Sequence, residues 1–403
     1  MEIYMSVNLK IDDPVVAIMG PESKVGWGPC QFPAIRKLPD GRLIIFYHVG
    51  QDICEEYGKD NGWLISDDNG DSWHEVPAED MPMVRGFSGT KLPSGKYIRI
   101  ITPPNHPVDK DFYKAYPNRG RIRNGWAIPA EDIPQNLFPL GWQYGIYDPI
   151  TGEDETFFCD LDYPGMNIHF LNSGSLVRPF PYDNLCVAPD GTLWQATYHY
   201  GRNPENLGHT APYLACYFFQ SPDEGRSFKL KSWIQYLPDT NEFPEAFGAE
   251  GFCEPFLSFL PDGSMVTLIR TDNNSPSYIA HSYDGGNTWT KPEKFDRIGV
   301  FPQLLTLDCG VTLASYGRPG VRLRATADPH GKEWDTPIEL IPYSTPGYFP
   351  DGPDWVWRSK TCSYTGLIPF DERTAMLAYS DFSVKDENGI ERKCLIVRKI
   401  HVE

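Results

Sequence analysis

Residues 66–73 read Ser-Asp-Asp-Asn-Gly-Asp-Ser-Trp, and residues 282–289 read Ser-Tyr-Asp-Gly-Gly-Asn-Thr-Trp. Both fit one signature: Ser, any residue, Asp, any, Gly, any, Ser or Thr, Trp. A third copy runs from Ser221 through Asp223, Gly225 and Ser227 to Phe228, with Phe in place of Trp. A looser fourth passes through Thr326, Asp328, Gly331 and Trp334 and is one residue longer. The pattern is turn chemistry: the Asp carboxylate accepts bonds from nearby backbone, Gly takes the left-handed position, and the aromatic ring packs beneath. One copy would be chance. Two full copies and a near copy point to an architecture made by repetition.

A second repeat runs beside the first. Short apolar runs are joined by turns at Leu38-Pro39-Asp40-Gly41, Leu92-Pro93-Ser94-Gly95, Ala188-Pro189-Asp190-Gly191 and Leu260-Pro261-Asp262-Gly263. Leu307-Asp308-Cys309-Gly310 is a looser copy, and Pro369-Phe370-Asp371-Glu372 a sixth without Gly. Each is a hairpin signal, with strands expected after it over 42–48, 265–270 and 374–379 among others. Six hairpins predict six blades of four short strands, an all-β, six-bladed β-propeller in a single domain spanning 1–403. No segment carries a sustained 3.6-residue apolar stripe, so long helices are not expected. The Pro-, Gly- and Asn-rich stretch 104–179 breaks the rhythm and is expected to extend the loops of the second and third blades. A strand over 15–19 is expected to join the last blade and close the ring, which protects its edges.

Composition sets the outer limits. The chain has 403 residues, 36 Lys and Arg against 54 Asp and Glu, and a net charge of −18. That excludes the basic face that nucleic acid or an anionic membrane surface requires. The 36 Gly and 38 Pro imply many turns, and 14% aromatic residues are too many for disorder. No apolar run approaches the ~18 residues of a membrane span. The first residues, MEIYMSVNLKIDDP, lack the basic and apolar regions of a secretory signal. With nine Cys, an odd count without a CxxC pair, the reading is a cytoplasmic protein with reduced thiols, although a chain trimmed of its leader would read the same. No metal or phosphate-loop motif occurs, so no cofactor is expected.

The turn signature resembles the Asp boxes of the sialidase superfamily, whose members are six-bladed β-propellers. The resemblance covers roughly residues 28–400 outside the loop-rich stretch. Asp boxes lie on blade edges and speak for fold rather than chemistry. Site chemistry is expected at one mouth of the channel. Pro33, Pro255 and Pro302 each fall eight residues before the turn Gly, which sets the register. The residues opening the inner strands are then Gln31, Arg85, Asp183, Glu254, Phe301 and Tyr364. Those leaving the second strands are His48, Thr102, His199, Arg270, Arg318 and Asp381. Burying such polar groups is costly unless they are paired or functional.

Cys253-Glu254-Pro255, with Arg270 sixteen residues after the Glu, resembles the sialidase blade that bears a Glu and a carboxylate-binding Arg. Ser363-Tyr364-Thr365 is similar to the strand carrying that family's nucleophilic Tyr. The resemblance implies Tyr364 as nucleophile, Glu254 as its base, and Arg270 with Arg318 or Arg322 as clamp. It implies an acid in the loop after the second strand, where Asp52 is the nearest match and Glu55 and Glu56 are rivals. A neutral nucleophile suits an anionic sugar, and a planar guanidinium fork suits a carboxylate. One departure matters: the family's Arg-Ile-Pro motif reads Gln31-Phe32-Pro33 here, so Gln31 replaces a clamp Arg, with Arg85 as a possible substitute. The expected function is exo-hydrolysis of a terminal acidic sugar other than common sialic acid, from a carbohydrate or glycoconjugate. Two alternatives stand beside it. One is a hydrolase or lyase on uronic-acid glycans that uses His199 or Tyr364 as acid/base. The other is a carbohydrate-binding propeller without catalysis. Trp27, Trp126, Trp142 and Trp355 are candidates for stacking on sugar faces.

Overall fold

The computed structural model describes residues 6–22, 28–50, 61–102, 105–134, 136–137, 139–178, 181, 185–205, 207–208, 210–241, 243–244, 246–272, 275–342 and 360–403. The turn repeats do what their residues dictate. Asp68 Oδ1 accepts from Ser66 Oγ at 2.9 Å and from the Ser72 N–H at 2.8 Å, while Ser66 Oγ accepts the Gly70 N–H at 2.8 Å. The same three bonds recur around Asp223 and around Asp284. In the fourth copy the extra residue is absorbed by Asp328 Oδ2, which accepts both the Lys332 and the Glu333 N–H. The central glycines Gly70, Gly225 and Gly286 sit at φ of 90°, 90° and 79°.

The hairpin turns are equally uniform. In five of them the turn Gly donates its N–H to the carbonyl three residues earlier: Gly41 to Leu38, Gly95 to Leu92, Gly191 to Ala188, Gly263 to Leu260 and Gly310 to Leu307.

These turns generate six antiparallel blades. The first holds Gln31–Lys37, Leu43–His48, Gly62–Ser66 and His74–Glu75. The second holds Thr90–Lys91, Tyr97–Ile101, Gln143–Tyr147 and Asp154–Phe158. The third holds Leu185–Val187, Leu193–His199, Ala215–Ser221 and Ser227–Ile234, with Asp160–Asp162 added in parallel at its outer edge. The fourth holds Cys253–Phe259, Met265–Arg270, Ser277–Ser282 and Glu293–Asp296. The fifth holds Val300–Thr306, Thr312–Gly317, Val321–Thr326 and Ile338–Ile341. The sixth is built from Thr365–Pro369, Thr374–Lys385 and Glu391–Val402, and the N-terminal Leu9–Ile11 and Val15–Glu22 both pair with the last of these.

The expected closing strand thus exists and is longer than the sequence suggested. The inner strands sit side by side around the axis. Thr90 Oγ1 donates to the Leu185 carbonyl, Thr306 Oγ1 to the Phe259 carbonyl, and Ser315 Oγ meets Thr365 Oγ1 at 2.7 Å. Apolar side chains fill the gaps between blades. Ile35, Leu43 and Ile45 of the first pack on Met376, Ala378 and Leu395 of the sixth.

The stretch expected to be loop extension is more ordered than that. It contributes the outer two strands of the second blade. It also forms a separate five-stranded sheet from His106–Pro107, Gly120–Ile122, Gly125–Pro129, Asn167–Leu171 and Ser175–Val177. The strands of this accessory sheet are only two to five residues long, which hid them from any periodicity test. The one α-helix among the described residues, Met81–Gly86, has six residues, and none is long and apolar enough to cross a membrane.

The Asp turns lend themselves to a paired test. A Cβ on Gly286 would stand 2.4 Å from the Trp194 ring, whereas a Cβ on Gly285, at φ 67°, meets nothing within 4 Å. Gly285→Ala should therefore cost only the left-handed backbone penalty, about 1–2 kcal/mol. Gly286→Ala should cost clearly more, because the ring beneath the turn must also move. Urea unfolding of both variants checks the order, and equal losses would mean that the turn does not pack as described.

Candidate active site

Three inner strands begin with the same backbone device. Phe32, Glu254 and Phe301 hold φ of 53°, 45° and 43°, each just before a proline, and each lies in a register shift against the second strand. A non-glycine residue in this region costs roughly 1–3 kcal/mol and persists only where the surroundings impose it. The three residues occupy equivalent places on the first, fourth and fifth blades. Ser363, at φ 69°, stands just before Tyr364 and the inner strand of the sixth blade.

These positions converge. Tyr364 Oη donates to Glu254 Oε1 at 2.5 Å, and the Phe301 N–H donates to Glu254 Oε2 at 2.7 Å. Arg270 Nη1 donates to the same Glu254 Oε1 and lies 3.3 Å from Tyr364 Oη. The Phe301 ring stacks on the Tyr364 ring at 4.5 Å, and Phe32 meets its edge at 4.6 Å. The Arg318 guanidinium lies 5.5 Å from the Tyr364 ring centre and donates to the Cys362 carbonyl at 3.0 Å. Glu254, Arg270 and Arg318 are all buried, at 3%, 9% and 4% exposure.

Burial and the adjacent Glu254 charge push the Tyr364 phenol well above its ordinary range, so the resting site keeps that proton on the tyrosine. Burial opposes the charge on Arg270, but the Glu254 carboxylate together with Cys253, Tyr364 and Tyr198 outweighs it and raises the guanidinium pKa. Two guanidiniums and one carboxylate thus surround a neutral phenol that donates to the carboxylate.

The structure brings together four of the residues expected from sequence: Glu254, Arg270, Tyr364 and Arg318. It also separates Arg318 from Arg322. Arg322 sits on the third strand of its blade, where Asp296 accepts from it at 3.0 Å and Glu339 at 2.7 Å. These carboxylates and the phenol of Tyr316, itself bonded to Asp296, make it part of a structural ion cluster.

Arg85 does not open an inner strand. A Pro at the first helical turn starts Met81–Gly86, Arg85 falls in the last turn with its side chain exposed, and the second blade begins at Thr90. Gln31 opens the first strand, fully buried. Its amide Nε2 donates to the Gly50 carbonyl at 2.9 Å, and among the described residues Oε1 has no hydrogen-bond partner. Asp52, Glu55 and Glu56 lie outside the described residues, as do Asp183, Trp27 and Trp355.

His199 ends the second strand of its blade but is held elsewhere. Its ring meets Tyr163 Oη at 2.8 Å, packs against the Tyr217 ring at 4.8 Å and stacks with His169 at 5.7 Å. Burial depresses His199 to about 3 and His169 to about 4, so both are neutral. Trp142 is core, packed against Phe219 and Phe228, and Trp126 stacks on Tyr113 with the Arg119 guanidinium 4.9 Å from its ring centre.

Phe32, Tyr163 and Tyr198 escaped the sequence reading. Phe32 and Tyr198 stand beside two residues it named, Gln31 and His199, and Tyr198 is close enough to Glu254 and Arg270 to feel both charges. The Phe-Pro dipeptide at Phe32 matches that at Phe301, the one signal that could have found it. Among the described residues no three His, Cys, Asp or Glu side chains gather as metal ligands.

No family model matches the chain, and no curated protein matches its sequence. Solved structures do. A protein of unknown function from Dyadobacter fermentans is 15% identical over 98% of this chain and 99% of its own, with a TM-score of 0.63. The Hadza microbial sialidase Hz136 is 14% identical over 94% of this chain and 68% of its own, with a TM-score of 0.48. The α-L-arabinanase of Penicillium chrysogenum, solved with arabinobiose, is 13% identical over 96% of this chain and 98% of its own, also at 0.48. At these identities the likeness is one of fold. The chain is an all-β, six-bladed propeller, and it shares its fold with the Dyadobacter protein.

Proposed function

We propose that this chain is an exo-acting glycoside hydrolase that removes a terminal acidic sugar other than common sialic acid. The observation that carries the reading is the 2.5 Å bond from Tyr364 Oη to Glu254 Oε1, made among two buried guanidiniums. As the phenolic oxygen attacks the anomeric carbon, Glu254 takes its proton. The bond to the leaving group breaks as an acid protonates it, the role expected of Asp52. Water, giving a proton to the now deprotonated acid, then attacks the anomeric carbon and breaks the glycosyl–tyrosine bond, and Glu254 returns its proton to Tyr364 Oη. Arg318 and Arg270 receive the substrate carboxylate. Gln31, an amide where the resemblance expects a guanidinium, supplies a hydrogen bond without charge.

The test is a screen of aryl glycosides, including sialic and uronic acids, with the purified protein. Turnover of an acidic glycoside other than the standard sialoside is expected. Tyr364→Phe and Glu254→Gln should each reduce that turnover by at least 10³-fold, and full activity in either variant would end the proposal. Robust turnover of the sialoside would show that Gln31 does not exclude it.

The two arginines should respond differently. Arg270 serves Glu254 as well as the substrate, so Arg270→Ala should impair charged and neutral substrates alike. Arg318→Ala should cost about 10²-fold in kcat/KM on the acidic substrate, since charge-assisted bonds contribute roughly 1.5–3 kcal/mol each. A neutral analogue should barely notice it. Equal losses on both substrates would make Arg318 structural.

Burial holds His199 far below neutrality, which speaks against acid–base work by this residue near pH 7. A histidine at about 3 in the folded state and near 6.5 unfolded binds its proton only on unfolding. Folding stability should therefore fall with decreasing pH from about 6.5, by up to ~1.4 kcal/mol per pH unit for this residue. His199→Gln should flatten that slope in denaturant titrations at pH 7 and pH 5, and should leave the shape of the pH–rate profile unchanged. A lost limb in that profile would restore His199 as an acid/base.

A further inference from the structure

The accessory sheet reaches the site. The Ile122 side chain, at the tip of its hairpin, belongs to a buried apolar cluster with Tyr200, Leu214 and Cys253, the residue before Glu254. That packing brings Arg123 to the rim. Its Nη1 lies 3.3 Å from Asp272 Oδ2 and 3.5 Å from Glu250 Oε2. Asp272 stands two residues past Arg270 and Glu250 four before Glu254, and Asp272 Oδ2 also accepts the Glu250 N–H at 3.1 Å. The two carboxylates are partly accessible, at 25% for Glu250 and 14% for Asp272, while Arg123 is half exposed. A ligand seated against Glu254 and Arg270 therefore borders a rim of two carboxylates and one guanidinium.

We propose that Glu250, Asp272 and Arg123 form a specificity-determining rim that accepts hydroxyl groups from a neutral sugar beside the acidic one and turns away a second anionic sugar. The inference rests on the hydrolase reading given above. Ionised carboxylates are pure acceptors with about four lone-pair sites each, and they fit the donating hydroxyls of a sugar ring. Their summed charge with Arg123 is negative, opposite to that of the guanidiniums deeper in the site. A single carboxylate on the substrate is thus drawn inward, and a second one at the rim meets like charge.

The charges facing Glu250 are Arg123 from the accessory sheet, Arg270 and Asp272 from around the second strand of the fourth blade, and Glu254 from its own segment; Tyr200 also faces it. Burial raises Glu250, Arg123 and Arg270 draw it down, and Asp272 and Glu254 push it up.

The experiment measures dissociation constants by calorimetry at pH 8, above the carboxyl range. The probes are N-acetylneuraminate and hexuronates, each free, S-linked to galactose, and S-linked to a second copy of itself, the sulfur linkage resisting hydrolysis. The wild type should prefer the galactose-linked form to the doubly anionic one by at least tenfold. Glu250→Gln and Asp272→Asn should each reduce that preference severalfold while changing the free acid's affinity less than threefold. Arg123→Ala should move the preference the other way, a sign that mere loss of packing would not produce. Binding with the preference unchanged in all three variants would overturn the rim alone. Failure of every acidic sugar to bind the wild type would overturn the hydrolase reading, and the rim with it.

Discussion

A carboxylate at 3% exposure is the demand around which this mouth of the propeller is arranged. An isolated charge so placed would neutralise itself or unfold its surroundings. Glu254 is instead satisfied from three blades. Its own blade sends Arg270, the next sends the Phe301 N–H, and the sixth sends the Tyr364 hydroxyl. Breaking a buried ion pair by removing one partner typically costs about 3–5 kcal/mol. The same bonds that hold the Tyr364 hydroxyl therefore also hold the relative positions of three blades, and neither can be altered without the other.

The backbone makes this possible through one repeated device. A left-handed residue before proline starts the inner strand in three blades, and it carries Phe on the first, Glu on the fourth and Phe on the fifth. The two phenylalanines wall the Tyr364 ring, and the glutamate binds its hydroxyl. Chemistry is thus written onto equivalent positions by side chain alone, while strain of the same kind is imposed at each by the closed ring.

How much of this the sequence disclosed depended on the range of the interaction. The Asp and Gly turns are local, so their residues could be read directly. Glu254, Arg270 and Tyr364 are among the positions that aligning the inner strands on those turns brings out, and the resemblance to sialidase blades singles them out. What stayed hidden was set at long range. Arg318 and Arg322 are four residues apart, and only the positions of Tyr364 and Asp296 tell them apart. His199 looked like an acid/base until Tyr163 and His169 were seen around it. Arg85 was misread because a six-residue helix displaces the start of its blade. The accessory sheet was invisible because its strands pair mainly with each other and are too short to show alternation.

The last blade has a consequence for how the chain comes to be folded. Its strand Glu391–Val402 is flanked by Val15–Glu22 and Leu9–Ile11, so those two strands find their partner only across nearly the whole length of the propeller. Contacts of such sequence separation form slowly, because the closure entropy comes due before any reward. Until then the strand at 15–22 is an unpaired edge with Val16 and Met19 exposed on it even in the finished ring, the kind of segment that recruits neighbouring chains. Chains should therefore be most prone to aggregate in the interval before residues 391–402 have covered the strand at 15–22.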